Sequence, residues 1–314
     1  MPNLGIFRCR QLFGMNNLLP AIVFSLTLTA QVNAQTDVQQ LKEQIKSFIA
    51  NQGTIAVAFR DLVTGEEIMI NESETFHAAS TMKTPVLIEV FKQAKEGKLS
   101  LSDSIRIRNE FQSIVDGSMY SLNPADDSEQ KMYGLVGKKK ALKDLVNDMI
   151  IYSSNLATNT VIELVGAKNV MNTMRELGAN HIQVLRGVED GKAFEKGLNN
   201  TTTAFDLLVI FEAMARGKAV SPGASQQMID ILLHQQFNKM IPARLPTTVK
   251  VAHKTGNITG VLHVSHHESG IHRHYDRRGE AWSSCASDPR TRRVSQSCSP
   301  VGRVECGPAL HEHS

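Results

Sequence analysis

Read for period alone, the chain opens with strands, passes through a long helical stretch and returns to a strand. Thr54–Phe59 and Glu67–Asn71 are apolar runs separated by Thr64-Gly65, which predicts a β-hairpin. Val86, Leu87, Val90, Phe91 and Ala94 recur at helical spacing within Ser80–Glu96, and Gly97 supplies a stop. Residues 98–140 are polar and irregular, with a turn at Asn123-Pro124 and a basic Lys138–Lys140 cluster expected on a solvated surface. Helical spacing resumes over Leu142–Tyr152, Leu156–Val165 before Gly166, and Lys168–Leu177 before Gly178. After a turn at Leu198–Asn200, the Thr203 hydroxyl with Asp206 three positions on predicts a capped helix over Ala204–Arg216. Ser221-Pro222 opens another helix, reaching to about Gln235, and Thr248–His253 is a strand leading into Lys254. A helical block between β segments predicts an α/β arrangement, with a cleft between a sheet-bearing part and an all-helical part.

The pattern fails at both ends of the chain. Arg8 and Arg10, an apolar run from Leu18 to Ala30, and Val32-Asn33-Ala34 before Gln35 read as a signal peptide over residues 1–34. Asn16 and Asn17 interrupt any longer apolar stretch, so the expectation is an exported, periplasmic or secreted protein without a stable membrane anchor. After His263 the composition changes abruptly. Residues 264–314 hold nine Ser, seven Arg, six His and three Cys, no Lys or Phe, and one Ile and one Leu. Such a segment cannot bury much surface. It reads as an aberrant tail translated out of frame, leaving residues 35–263 as the catalytic domain.

Charge and cysteine then exclude rather than propose. The net charge of +3 comes from the leader and tail, leaving 25 basic and 25 acidic residues between them, which gives no footprint for nucleic acid. Cys9 lies in the leader and Cys285, Cys298 and Cys306 in the tail, so the body has no disulfide framework, and their spacing does not define a metal site.

The chemistry sits in three short motifs: Ser80-Thr-Met-Lys83, Ser153-Ser-Asn155 and Lys254-Thr-Gly256. A serine at a helix start is a weak nucleophile until a base takes its proton, and Lys83, three residues on, shares its helical face. Ser153 can relay a proton and Asn155 can bind an amide. Lys254 and Thr255 can hold a carboxylate, while Gly256 lets a ligand lie against the strand. Each motif alone reads more readily as a helix cap, an interhelical turn or a strand exit than as a site.

Together, with Ala79–Thr84, Ser153–Asn159, Asn200–Thr203 and His253–Gly256 as flanks, they resemble class A serine β-lactamases and the related low-molecular-weight penicillin-binding proteins. The resemblance spans roughly Gln40 to His263. It implies an α+β sandwich, with an antiparallel sheet flanked by helices plus an all-helical subdomain. It also implies a metal-free, cofactor-free monomeric serine hydrolase taking a β-lactam or a D-Ala-D-Ala peptide. By resemblance Ser80 is the acylated nucleophile, Lys83 its base, Ser153 the proton relay and Glu189 the deacylating base, with Asp190 as a lesser candidate. Asn155, Lys254, Thr255, Gly256 and Asn257 form the substrate-binding set together with Asn159, which steadies the glutamate. The N–H groups of Ser80 and Asn257 make the oxyanion hole. Three departures stand out: Ser154 occupies a position where class A has Asp, residues 98–140 carry an insertion, and Ala193 stands where class A has Asn. The shorter loop after Glu189 and Ser154 leave a D-alanyl-D-alanine carboxypeptidase or transpeptidase as an alternative, and the abnormal C-terminus leaves an inactive relative as another.

Overall fold

In the computed structural model the described residues are 37–269, with strand backbone also at 273–275 and 281–283. The leader and the rest of the tail, with the expectations made for them, lie outside the described residues.

The core grows around one helix. Helix α2 (Lys83–Lys95) follows a 3-10 turn at Ala79–Met82. Its residues Val86, Leu87, Ile88 and Val90 are fully buried, and Glu89 between them is buried too, held by Gln93 and Thr173, so every face of the helix is covered there. Around it pack α3 (Leu142–Ile151), α4 (Asn155–Val165) and α5 (Ala167–Glu176). Gly166 and Gly178 end α4 and α5 with φ of 82° and 89°, a backbone that glycine adopts without strain. Both stops match the sequence reading.

The strand side comes from both ends of the described chain. Helix α1 (residues 37–49), which the sequence period did not reveal, precedes β1 (Val57–Arg60) and β2 (Glu67–Ile70). These pair antiparallel, Val57 opposite Ile70 and Arg60 opposite Glu67, so the expected hairpin forms with its first strand beginning three residues late. Short β3 (Phe76–His77) pairs with β8 (Thr201–Thr202). The polar stretch 98–140 is not formless: β4 (Ser104–Arg106) pairs with β7 (Lys139–Ala141), and β5 (Phe111–Gln112) pairs with β6 (Met119–Tyr120). Lys138 and Lys139 are exposed as expected, but Lys140 is drawn into an ion pair with the buried Asp148 of α3, which corrects the solvated-cluster reading there.

After the short helix α6 (Gly191–Glu195) come α7 (Ala204–Ala215) and α8 (Pro222–Leu233). Thr203 Oγ accepts from Asp206 N at 3.0 Å and Ser221 Oγ from Ala224 N at 3.3 Å, so both expected caps are made. The Asp206 carboxylate does not close a capping box; it accepts from His181 N and Ile182 N.

The last ladder joins β9 (Lys250–Ile258) to β10 (Val261–Ser269), with Ile258 opposite Val261 and Lys250 opposite Ser269. Pairing therefore runs six residues beyond His263, where the sequence reading had ended the ordered domain. All described pairs are antiparallel and two-stranded, and α7 packs on both β1 and β10. In a separate unit beginning at Ile271, β11 (Arg273–Tyr275) pairs with β12 (Ala281–Ser283). No helix among the described residues is long and apolar enough to cross a membrane.

Candidate active site

The three motifs converge on one lysine. Ser80 sits in the 3-10 turn just ahead of α2, and Lys83 is the first residue of that helix. Lys83 is fully buried, and its Nζ donates to Ser80 Oγ at 3.0 Å, Ser153 Oγ at 3.1 Å, the Ser153 carbonyl at 2.6 Å and Asn155 Oδ1 at 2.9 Å. Burial pulls its pKa down to about 7, against the charges of Asp127 and Glu189, which hold it up.

Ser153 lies between two ammonium groups. Its Oγ also accepts from Lys254 Nζ at 3.0 Å, and Lys254 gives a further bond to the Thr255 carbonyl. Lys254 is fully buried in β9, and burial together with the Lys83 charge holds its pKa well below the usual lysine value. Its ammonium faces Ser153 rather than open solvent.

Strand β9 reaches the serine turn because residue 256 has no side chain. A Cβ there would lie 3.1 Å from Thr81 N and 3.2 Å from the Ala78 carbonyl. Asn257, the next residue, is exposed. The N–H groups of Ser80 and Asn257 therefore belong to two segments in contact. Strain is concentrated here: Ala79, Ser153 and Glu189 have φ of 45°, 58° and 61°, three of the four non-glycine residues with positive φ among those described.

Glu189 is brought to the same cluster by a side chain shared with the lysine. Asn155 Nδ2 donates to Glu189 Oε1 at 2.5 Å while its Oδ1 accepts from Lys83. Glu189 is open to solvent on one side, yet partial burial raises its pKa. The Asn155 bond and Lys83 oppose that rise, and Asp126 and Asp127 add to it. Asp190, the lesser candidate, is not available as a base. Its buried carboxylate caps α6 at Ala193 N and accepts from Ile114 N and the Ser113 hydroxyl. Burial pushes its pKa up, and these bonds with Arg186 bring it below the ordinary carboxylate value.

Asn159 faces the loop that carries Glu189. It is buried in α4, takes Val188 N on its Oδ1 at 2.6 Å and gives its Nδ2 to the Val188 carbonyl at 3.0 Å. It therefore clamps the residue before Glu189. A Cβ at Gly187 would meet Asn159 Oδ1 at 2.4 Å, so only glycine fits beside that clamp. The neck of the loop is closed by Asn200, whose Oδ1 accepts from Leu185 N and Arg186 N, and by Arg186 Nε on the Leu198 carbonyl.

The sequence reading missed the supports drawn from residues 98–140. The β5–β6 hairpin holds the glutamate loop through Ser113 and Ile114 on Asp190, and Tyr120 Oη donates to the Val188 carbonyl at 3.3 Å. Asp127 reaches the second motif, as argued below. No period or spacing marks such residues. Among those described, no group of three or more His, Cys, Asp or Glu is arranged to hold a metal ion.

The model of a family described as the beta-lactamase enzyme family matches residues 40–278. The chain is 21% identical to beta-lactamase CARB-3 of Pseudomonas aeruginosa over 251 residues, covering 78% of this chain and 79% of that one. Among solved structures it is similar to a beta-lactamase from Sphaerobacter thermophilus, with a TM-score of 0.62, 26% identity and coverage of 72% and 81%. It is also similar to a variant of PBP-A solved as an acyl-enzyme with penicillin G, with a TM-score of 0.60, 27% identity and coverage of 71% and 80%.

Proposed function

Since the chain belongs to the beta-lactamase enzyme family, we propose that it is an exported serine β-lactamase of the class A type, opening the β-lactam amide through an acyl-enzyme on Ser80 and conferring β-lactam resistance. The observation that carries the reading is Lys83 Nζ within hydrogen-bond reach of Ser80, Ser153 and Asn155 at once.

A lysine titrating at about 7 is neutral in a large fraction of molecules at neutral pH, and so can accept the Ser80 proton as Oγ attacks the carbonyl carbon. Attack places negative charge on the carbonyl oxygen, which the N–H groups of Ser80 and Asn257 receive. The proton then passes through Ser153, already bonded to Lys83, to the lactam nitrogen as the C–N bond breaks. Lys254 donates a hydrogen bond to that relay and Thr255 meets the substrate carboxylate. Asn155 binds the substrate amide, exchanging its bond to Glu189 for the ligand. Glu189, acting in its ionised form, takes a proton from the water that attacks the ester carbonyl, and that same proton is delivered through Lys83 to Ser80 Oγ as it leaves.

A second reading is favoured by the likeness to PBP-A: a D-alanyl-D-alanine carboxypeptidase or transpeptidase that acylates in the same way. The two separate at deacylation. The test is a time course of a chromogenic cephalosporin followed by intact mass. Sustained turnover, absent in Ser80→Ala, is the expected result. A single burst ending in a stable adduct on Ser80 identifies the second reading, and no adduct at all overturns both.

A further inference from the structure

The second motif carries Ser154 between Ser153 and Asn155, and a serine hydroxyl has one acceptor group for a helix start that has several unpaired N–H groups. Ser154 Oγ accepts from Ala157 N at 3.2 Å, which satisfies the third residue of α4. The first two are satisfied from elsewhere. Asp127, in the turn between 3-10 segments Pro124–Asp126 and Gln130–Leu135, is 4% exposed and aims its carboxylate at the same helix end. Its Oδ2 accepts from Asn155 N and Leu156 N, both at 2.9 Å, from Tyr133 Oη at 3.0 Å and from Ser154 Oγ at 3.5 Å. Its Oδ1 accepts from Glu129 N at 3.0 Å. This carboxylate stands at a helix end that favours negative charge, and its charge also acts on Lys83.

We propose that Asp127 is a positioning residue of this active site: its carboxylate, brought from residues 98–140, fixes the backbone of Asn155 and thereby the side chain that joins Lys83 to Glu189. The proposal rests on the reading of Ser80 and Lys83 as the acylating pair. It assigns a function to the polar segment that the sequence pattern left as an insertion. It also divides between two residues, Ser154 and Asp127, the capping of a helix whose first residue is part of the catalytic cluster.

The charge gives the proposal a signature that a simple cap lacks. Lys83 is faced by the hydroxyls of Ser80 and Ser153, the amide of Asn155, the carboxylates of Asp127 and Glu189 and the ammonium of Lys254. Asp127 favours the charged form of Lys83 and disfavours that of Glu189. Removing its charge therefore moves both groups toward lower pH.

The experiment compares wild type with Asp127→Asn, and with Asp127→Asn carrying Ser154→Asp, which returns a carboxylate to the same helix end. The readouts are the side-chain NMR titration of Lys83, the pH profile of Ser80 acylation by a chromogenic cephalosporin, and the melting temperature. In Asp127→Asn the Lys83 midpoint falls, the acid limb of acylation moves to lower pH and acylation slows by roughly 10- to 100-fold, the range expected when a reacting group is misplaced. The double variant recovers most of both. A lowered melting temperature with unchanged Lys83 titration and acylation means Asp127 is only a helix cap, which overturns the proposal. Should Asp127→Asn not fold, the double variant decides: a wild-type Lys83 midpoint supports the proposal and a displaced one contradicts it. Absence of acylation in wild type refutes the parent reading, whereas the NMR titration still tests Asp127.

Discussion

Helix α2 is buried on every face from Val86 to Val90, whereas the described strands pair only two at a time, with β1–β2 and β9–β10 each resting separately on α7. Exposure follows the same division. Leu87 and Ile88 are fully buried, while Phe59 on β1 and Leu262 on β10 are 47% and 64% exposed. Ser80, Lys83, Ser153 and Asn155 all hang from the helical side, whereas Lys254, Thr255, Gly256 and Asn257 come from strand β9. Lys83 and its contacts thus sit on the fully packed side, the kind of support that a preorganised site requires. The strand motif depends on how closely β9 docks against the serine turn.

That division can be broken most sharply by two truncations. Leu87→Ala is expected to cost about 2–5 kcal/mol of stability, because it empties a fully packed site. Leu262→Ala is expected to stay within about 0.5 kcal/mol, as for a surface change. Urea unfolding of both variants checks the contrast, and equal losses would abolish it.

The next effect is at the seam between the two sides. Gly256→Ala pushes a Cβ to 3.1 Å from Thr81 N and 3.2 Å from the Ala78 carbonyl, backbone atoms with little room to yield. Acylation of Ser80 is expected to slow by roughly 10- to 100-fold through a shifted β9, measured as burst rate. Gly187→Ala tests the other approach, because its Cβ would lie 2.4 Å from Asn159 Oδ1. It is expected to displace Glu189, slow deacylation by about 10-fold and leave the burst rate nearly unchanged, so that acyl-enzyme accumulates by mass.

The helical side was the more legible in the sequence. Helix period and glycine stops foretold α2 through α5, α7 and α8 to within a few residues, because each buries a continuous stripe and ends at a residue suited to a positive φ or a cap. The motif residues were legible as well, since Ser80 with Lys83 on one turn and Lys254 on a strand are local facts. What could not be read was everything held by long-range polar bonds. Asp127 on the start of α4, Asp190 on the β5–β6 hairpin and the inward turn of Lys140 to Asp148 leave no period, since they depend on where the fold brings residues 98–140. Composition also misled at the boundary: Val264–Ser269 lost the usual apolar richness but kept its strand, because ladder bonds to β9 need backbone and not particular side chains.

The smallest expected effect is electrostatic. With Lys83 depressed to about 7, its neutral, proton-accepting form grows as pH rises, so acylation increases from pH 6 to 8 about a midpoint near 7. Glu189 is raised above the usual carboxylate value and acts when ionised, so deacylation fails on its own acid limb at lower pH. Pre-steady-state burst rates against pH separate the two; a flat acylation profile would remove Lys83 as the base.

The most direct measurement of the whole account is intact mass during cephalosporin turnover by wild type and Glu189→Gln. The account predicts that wild type turns over and stays largely unmodified, while Glu189→Gln halts after one equivalent with the adduct on Ser80. Undiminished turnover by Glu189→Gln, or an adduct on any residue other than Ser80, would contradict it.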